Sequence, residues 1–184
     1  MRLFVEKIKD EGLILDFSEG HETFPQLTEM VEQGECSFPE PISGSLRAQK
    51  AGELIEIDGR VETVLRLSCD RCLKGFDLPV RSEFSVAFTR ELPEAPEEDE
   101  DGLEVSAEEM GLNLYHGDVI ELDSVVAEQV ILVLPLHPLC DADCRGLCPK
   151  CGADLNKDGC GCTQEPFLNK FAALKDFKPG KKDD

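Results

Sequence analysis

The sequence predicts an α+β protein: an antiparallel β-rich body, a meander or partly open barrel, with one buried helix and a C-terminal cysteine-rich module. Three observations predict it. Residues 42–68 alternate apolar and polar side chains in runs punctuated by Ala51-Gly52 and Asp58-Gly59, the pattern of paired strands. Asp123 precedes a run from Ser124 to about Leu134 with few polar residues, which reads as an N-capped helix too apolar to face water. Eight of the nine cysteines fall into closely spaced pairs, six of them between Leu139 and Thr163. The expected division is a β-rich body over residues 1–135, carrying an acidic loop at 91–109, and a cysteine-rich module over 136–184.

Taken in order, Arg2-Leu3-Phe4-Val5 and Gly12 to Phe17 read as short strands. Phe24, Leu27, Met30 and Val31 fall at helical spacing within a segment rich in Glu, Gly and Pro. Ile42–Ala48, Leu54–Val61 and Thr63–Leu67 form the meander, with the two glycine dipeptides read as turns or bulges. Phe76–Val80 and Phe84–Phe88 return as strand. Residues 91–109 have the composition of a disordered linker, dense in Glu and Asp with two prolines. Asp118 to Asp123 reads as a strand leading into the helix, which Pro135 terminates. Phe167, Leu168, Phe171 and Leu174 repeat at helical steps, so a short helix is expected to pack back on the body.

The cysteines carry the chemistry. Cys148-Pro149-Lys150-Cys151-Gly152 is a zinc-knuckle sequence: two thiolates two residues apart grip one ion, and the glycine tolerates the tight turn. Cys69-Asp70-Arg71-Cys72 is a second such pair at the end of a strand, with Gly75 three residues on. With Cys140, Cys144, Cys160 and Cys162 they supply eight soft ligands, enough for two four-cysteine zinc sites. One grouping joins Cys148, Cys151, Cys160 and Cys162 locally and leaves Cys69, Cys72, Cys140 and Cys144 to meet across the sequence. The other places Cys140, Cys144, Cys148 and Cys151 on one ion. Iron–sulfur ligation fits the spacing too, and a thiol redox or zinc-dependent protein is the rival class. Met1-Arg2-Leu3-Phe4 leads into charged residues without an apolar stretch of about 7–15 residues, so a reducing, cytoplasmic setting is expected, which favours metal over disulfides. Cys36 reads as a small apolar residue, and His137 as structural rather than as a ligand.

The formal net charge is −20, unevenly spread: residues 91–128 contain no Lys or Arg, while residues 45–90 and 129–184 hold eight each. The cysteine-bearing regions are therefore close to neutral, and cations flank both knuckles: Arg66, Arg71 and Lys74 at the first, Arg145, Lys150 and Lys157 at the second. These six are the RNA-binding candidates, since zinc knuckles with neighbouring cations are a common RNA-binding device. Phe76 is read as core rather than as a base-stacking platform. No apolar run approaches the ~20 residues of a membrane span. No phosphate-binding loop, nucleotide fingerprint or nucleophile motif is present, and two closed four-thiolate sites leave no position for a hydrolytic water, so the reading is non-enzymatic with no catalytic residues.

Leu67-Ser68-Cys69-Asp70-Arg71-Cys72-Leu73, Ile120-Glu121-Leu122-Asp123, Glu128 to Leu136 and Cys140 to Cys162 together resemble the YceD family of large-ribosomal-RNA-subunit accumulation proteins, over roughly residues 45–175. The family phrase Ile-Asp-Leu stands here as Ile120-Glu121-Leu122-Asp123. The resemblance implies a bacterial cytoplasmic protein acting in synthesis, processing or accumulation of large-subunit (23S) ribosomal RNA. Its implied partner is that RNA or a precursor particle. A protein on the assembling subunit is the second partner the residues allow, because the net charge opposes tight non-specific RNA binding.

Overall fold

The computed structural model describes residues 1–91, 111–157 and 159–162. The expectations for the acidic loop beyond Glu91 and for a helix at 167–174 lie outside these residues. The chain divides into two compact units, Met1–Cys144 and Arg145–Asp184, so that Cys140 and Cys144 belong with the first.

The first unit is built on an open, mostly antiparallel meander. Its strands are β1 (Arg2–Phe4), β2 (Leu13–Glu19), β3 (Ile42–Ala51), β4 (Leu54–Ser68), β5 (Gly75–Thr89), β6 (Leu112–Leu114) and β7 (Val119–Glu121). The main sheet runs β2-β3-β4-β5-β6, and β1 pairs with β7 in a separate ribbon. All pairings are antiparallel except β5 with β6. The alternation read from the sequence selects the inner face. Ile55, Ile57, Val61, Leu65 and Leu67 of β4 point inward with Ile42, Leu46 and Ala48 of β3 and Val80 and Phe88 of β5.

Ala51-Gly52 does turn the chain: Ala51 pairs with Leu54 and Gly52 takes φ +65°. Asp58-Gly59 does not. Gly59 lies within unbroken β4, opposite Leu46 and Phe84. A Cβ there would sit 2.3 Å from the Phe84 ring and 2.7 Å from a Leu46 methyl. The glycine is a notch that lets an aromatic ring lie flat on the strand. Gly44 does the same for Phe17, whose ring would be 2.8 Å from an added Cβ.

Two helices cover the inner face. Helix α1 (Pro25–Glu32) starts on a proline at its first turn and buries Leu27, with Phe24 buried just before it. Helix α2 (Asp123–Leu132) packs on β4, β5 and α1 and buries Val125, Val126, Ala127 and Val130. Two expectations change here. Asp123 makes no side-chain cap hydrogen bond; its carboxylate pairs with the Met1 ammonium, which a neighbouring charge attracts more strongly than a backbone amide does. Burial is also uneven at the end of the helix: Leu132 is 76% exposed and Val133 37%, while Ile131 and Leu134 pack against the core.

On the outer face the register sets opposite charges across from one another. Arg47 faces Asp58, Arg60 faces Glu83, Arg81 faces Glu62 and Arg66 faces Asp77.

Candidate metal centres

The first centre grows out of the β4–β5 hairpin. Ser68 and Gly75 are its last paired residues, so Cys69 to Lys74 form the connecting loop. The Leu73 amide donates to the Cys69 carbonyl at 2.8 Å and the Cys69 amide to the Lys74 carbonyl at 3.0 Å. The tight turn needs a positive φ just after the second cysteine, and Leu73 supplies it at +60°, the only non-glycine to do so among the described residues. Gly75, three residues after the pair, is the first residue of β5.

The other two thiols arrive with the segment that follows α2. Cys69 Sγ lies 3.8 Å from Cys144 Sγ, and Cys72 Sγ lies 3.6 Å from Cys140 Sγ. All four sulfurs fall within 4.8 Å of one another. Four sulfurs at about 2.3 Å from a tetrahedral zinc would lie about 3.8 Å apart, so the donor set fits a single ion of that size. Three of the four cysteines are buried and Cys140 is half-buried. Cys69 is held down to about 6, first by the Cys140 amide and further by the Cys72 and Arg71 amides. Cys140 is pushed up to about 12 by burial and by hydrogen bonds with the other thiols. A lone set of four thiols thus resists carrying four charges together, and a bound dication removes that conflict.

The second centre repeats the knuckle. The Gly152 amide donates to the Cys148 carbonyl at 2.8 Å, the Cys148 amide to the Ala153 carbonyl at 2.8 Å, and Gly152 takes φ +72°. Cys160 and Cys162 complete it within a short span, and again the four sulfurs lie within 4.8 Å. Asn156 steadies the loop by accepting the Arg145 amide at 2.7 Å through its side-chain oxygen. Cys148 is held down to about 6, chiefly by the Cys151 and Lys150 amides, while Cys162 is pushed up to about 12 by Cys151 and Cys160. Cys148 is buried, but Cys151 and Cys162 are exposed. Both centres can hold a metal ion, and each groups the pairs in the first of the two ways the spacing allows.

Among the remaining sequence-predicted residues, Cys36 joins neither centre; burial first, and Glu35 second, push its thiol up. His137 Nδ1 sits 3.2 Å from the Asp70 carboxylate, and His137 is not one of the residues of either four-sulfur cluster. Phe76 packs against the core. Arg66 is clamped on Asp77 by two hydrogen bonds of 2.7 and 2.9 Å, and Arg71 donates to the Cys144 carbonyl at 2.9 Å. The Lys74 ammonium has no partner among the described residues. Sequence reasoning missed Asp70 and Pro138 as the contact between the two ligand-bearing segments: the Asp70 amide donates to the Pro138 carbonyl at 2.9 Å. Only their proximity to cysteines could have drawn attention to them.

The family model for the large ribosomal RNA subunit accumulation protein YceD matches residues 57–178, taking in most of β4 and both centres. The chain belongs to the YceD family. It is 30% identical over 157 residues to the chloroplastic large ribosomal RNA subunit accumulation protein YCED homolog 1 of Arabidopsis thaliana, a match covering 75% of this chain and 49% of that one. The corresponding protein of Zea mays is 27% identical over 145 residues, covering 68% and 49%. An uncharacterized protein of Mycobacterium tuberculosis strain H37Rv is 34% identical over 110 residues, covering 60% and 49%. The chain therefore spans about half the length of the curated relatives it matches. No solved structure matches it. Among the described residues no helix is long and apolar enough to cross a membrane. The family is named for accumulation of the large ribosomal RNA subunit.

Proposed function

We propose that this chain is a non-enzymatic, zinc-binding factor in bacterial ribosome biogenesis, supporting the synthesis, processing or accumulation of 23S ribosomal RNA in the cytoplasm. The observation that carries the reading is the presence of two complete four-cysteine centres inside the region matched by the family. Thiolate sulfurs within 4.8 Å of each other suit one ion at each centre; a multi-iron cluster would divide the four thiolates among two or four irons and spread the set further. Four thiolates fill a tetrahedral shell, leaving no open position for substrate or water, which supports a structural role for the ion. The contact with RNA or an assembling particle is assigned to cations at the knuckles, with Lys74 foremost in the first unit, because Arg66 and Arg71 have internal partners. The charge-matched outer sheet face favours the second partner class, a protein on the particle.

The test is depletion in cells followed by complementation. Mature 23S RNA should fall relative to small-subunit RNA and recover with the wild-type gene. In-cell crosslinking and sequencing should recover large-subunit RNA, and Lys74→Glu with Arg145→Glu should weaken that recovery in a salt-dependent way. Unchanged 23S RNA on depletion would sink the proposal. Crosslinking to protein alone would move the contact to a protein partner. Metal analysis should give about two zinc per chain, and thiol labelling before and after chelation would expose a redox protein instead.

A further inference from the structure

The two spacer residues of the first knuckle do something that a C-x-x-C spacing does not require. Asp70 and Arg71 both reach to the segment bearing the other two cysteines. The Asp70 amide donates to the Pro138 carbonyl at 2.9 Å. The Asp70 carboxylate lies 3.2 Å from His137 Nδ1. Arg71 Nη1 donates to the Cys144 carbonyl at 2.9 Å. These links bracket the incoming segment at both ends, before Cys140 and at Cys144, and none of them passes through a sulfur. The second knuckle has Pro149 and Lys150 as its spacers, and Pro149 carries no amide hydrogen to donate.

From this we infer that Asp70 and Arg71 are positioning residues for the first metal centre: they latch the segment 137–144 onto the hairpin loop, so that four thiols far apart in sequence are assembled before an ion arrives. The inference rests on the reading of both centres as metal sites. Arg71 has a second effect. Four thiolates on a dication leave a net charge of −2, and the Arg71 guanidinium, exposed but anchored on a ligand's own carbonyl, offsets part of it. A lysine keeps the charge but loses the planar fork, and a methionine loses both.

The test uses the two centres as each other's control. Zinc release from the full chain into a chromophoric chelator is followed for wild type, Arg71→Met, Arg71→Lys and Asp70→Ala. Mass spectrometry after thiol alkylation then reports which cysteines have been freed. Removing an outer contact of a metal ligand commonly costs roughly ten- to a hundred-fold in affinity. Arg71→Met should therefore speed release about ten-fold or more, with alkylation confined to Cys69, Cys72, Cys140 and Cys144. Arg71→Lys should recover part of the loss, and Asp70→Ala should act in the same direction. Circular dichroism at saturating zinc should match wild type, which separates a positioning role from general unfolding. Release from Cys148, Cys151, Cys160 and Cys162 should be unchanged. Equal release rates in Arg71→Met and wild type, or faster release from both centres together, would overturn the inference. Wild-type protein without zinc at Cys69, Cys72, Cys140 and Cys144 would overturn the metal reading itself, and the wild-type measurement alone decides that.

Discussion

The two four-cysteine centres share one knuckle geometry and differ in almost everything else. Each has a C-x-x-C turn closed by the same pair of backbone hydrogen bonds and a positive φ after its second cysteine. The first joins a hairpin loop to the exit of a buried helix, so its four thiols come from parts of the chain separated by 68 to 75 residues. The second gathers Cys148, Cys151, Cys160 and Cys162 from one short stretch. The first is mostly buried and the second largely exposed. The same ligand set is therefore a tertiary clip in one place and a local staple in the other. Loop-closure entropy explains why the difference matters: an ion that closes a long loop removes more freedom from the unfolded chain than one that closes a short loop.

The sharpest way to break this comparison is to remove one ligand from each centre. Cys69→Ser or Cys144→Ser should lose about one zinc and cost roughly 4 kcal/mol or more, the scale at which loss of a metal is felt; thermal unfolding alongside zinc analysis measures both. A melting temperature equal to wild type would show that the clip holds nothing together. Cys148→Ser or Cys151→Ser should also lose about one zinc, yet shift the unfolding of the first unit by no more than about 0.5 kcal/mol, the scale of a remote change. Hydrogen exchange should confine the loosening to residues 145–162. If both families of variants unfold the first unit alike, the two centres are not independent.

A smaller effect comes with pH. Cys69 and Cys148 are each held at about 6, below the ordinary thiol value of 9.0. The favourable thiolate interactions are fully in place above the ordinary value and are lost as pH falls through about 6. Protons compete with the ion in the same direction. Zinc retained against a chelator should fall as the solution goes from about pH 8 to about pH 5, and the exposed second centre should empty first. Retention that stays flat across that window, or loss from the buried centre first, contradicts the contrast.

The smallest effect tests the turns themselves. Leu73 is 68% exposed and sits at φ +60°, whereas the second knuckle has Gly152 there at +72°. A left-handed conformation costs a residue with a Cβ about 1–2 kcal/mol. Gly152→Leu should destabilise the second centre by about that amount. Leu73→Gly should stabilise the first by up to about 1 kcal/mol, once glycine's own entropy is subtracted. A loss of stability in Leu73→Gly would mean that the leucine side chain makes a contact of value despite its exposure.

Much of this protein is written locally. The alternation of Ile55, Ile57, Val61 and Leu65 places a strand and chooses its inner face, because side chains along a strand alternate by geometry alone. The apolar run after Asp123 makes a helix, and Cys148-Pro149-Lys150-Cys151-Gly152 makes a knuckle, since each depends on neighbours a few residues away. Eight cysteines in four pairs, with the sequence phrases around them, mark the family for the same reason.

The rest belongs to tertiary structure. Spacing left two groupings of the pairs open, and only the fold of the β4–β5 hairpin against the exit of α2 brings Cys69 and Cys72 to Cys140 and Cys144. Gly59 looks like a turn until Phe84 is seen lying across it. Asp123 looks like a cap until the Met1 ammonium reaches it. Arg66 and Arg71 look like free cations until strand register sets Asp77 beside one and loop docking sets the Cys144 carbonyl beside the other. In each case a residue's role depends on a partner far away in sequence, and no local pattern carries that information: it is created when the chain closes its long loops.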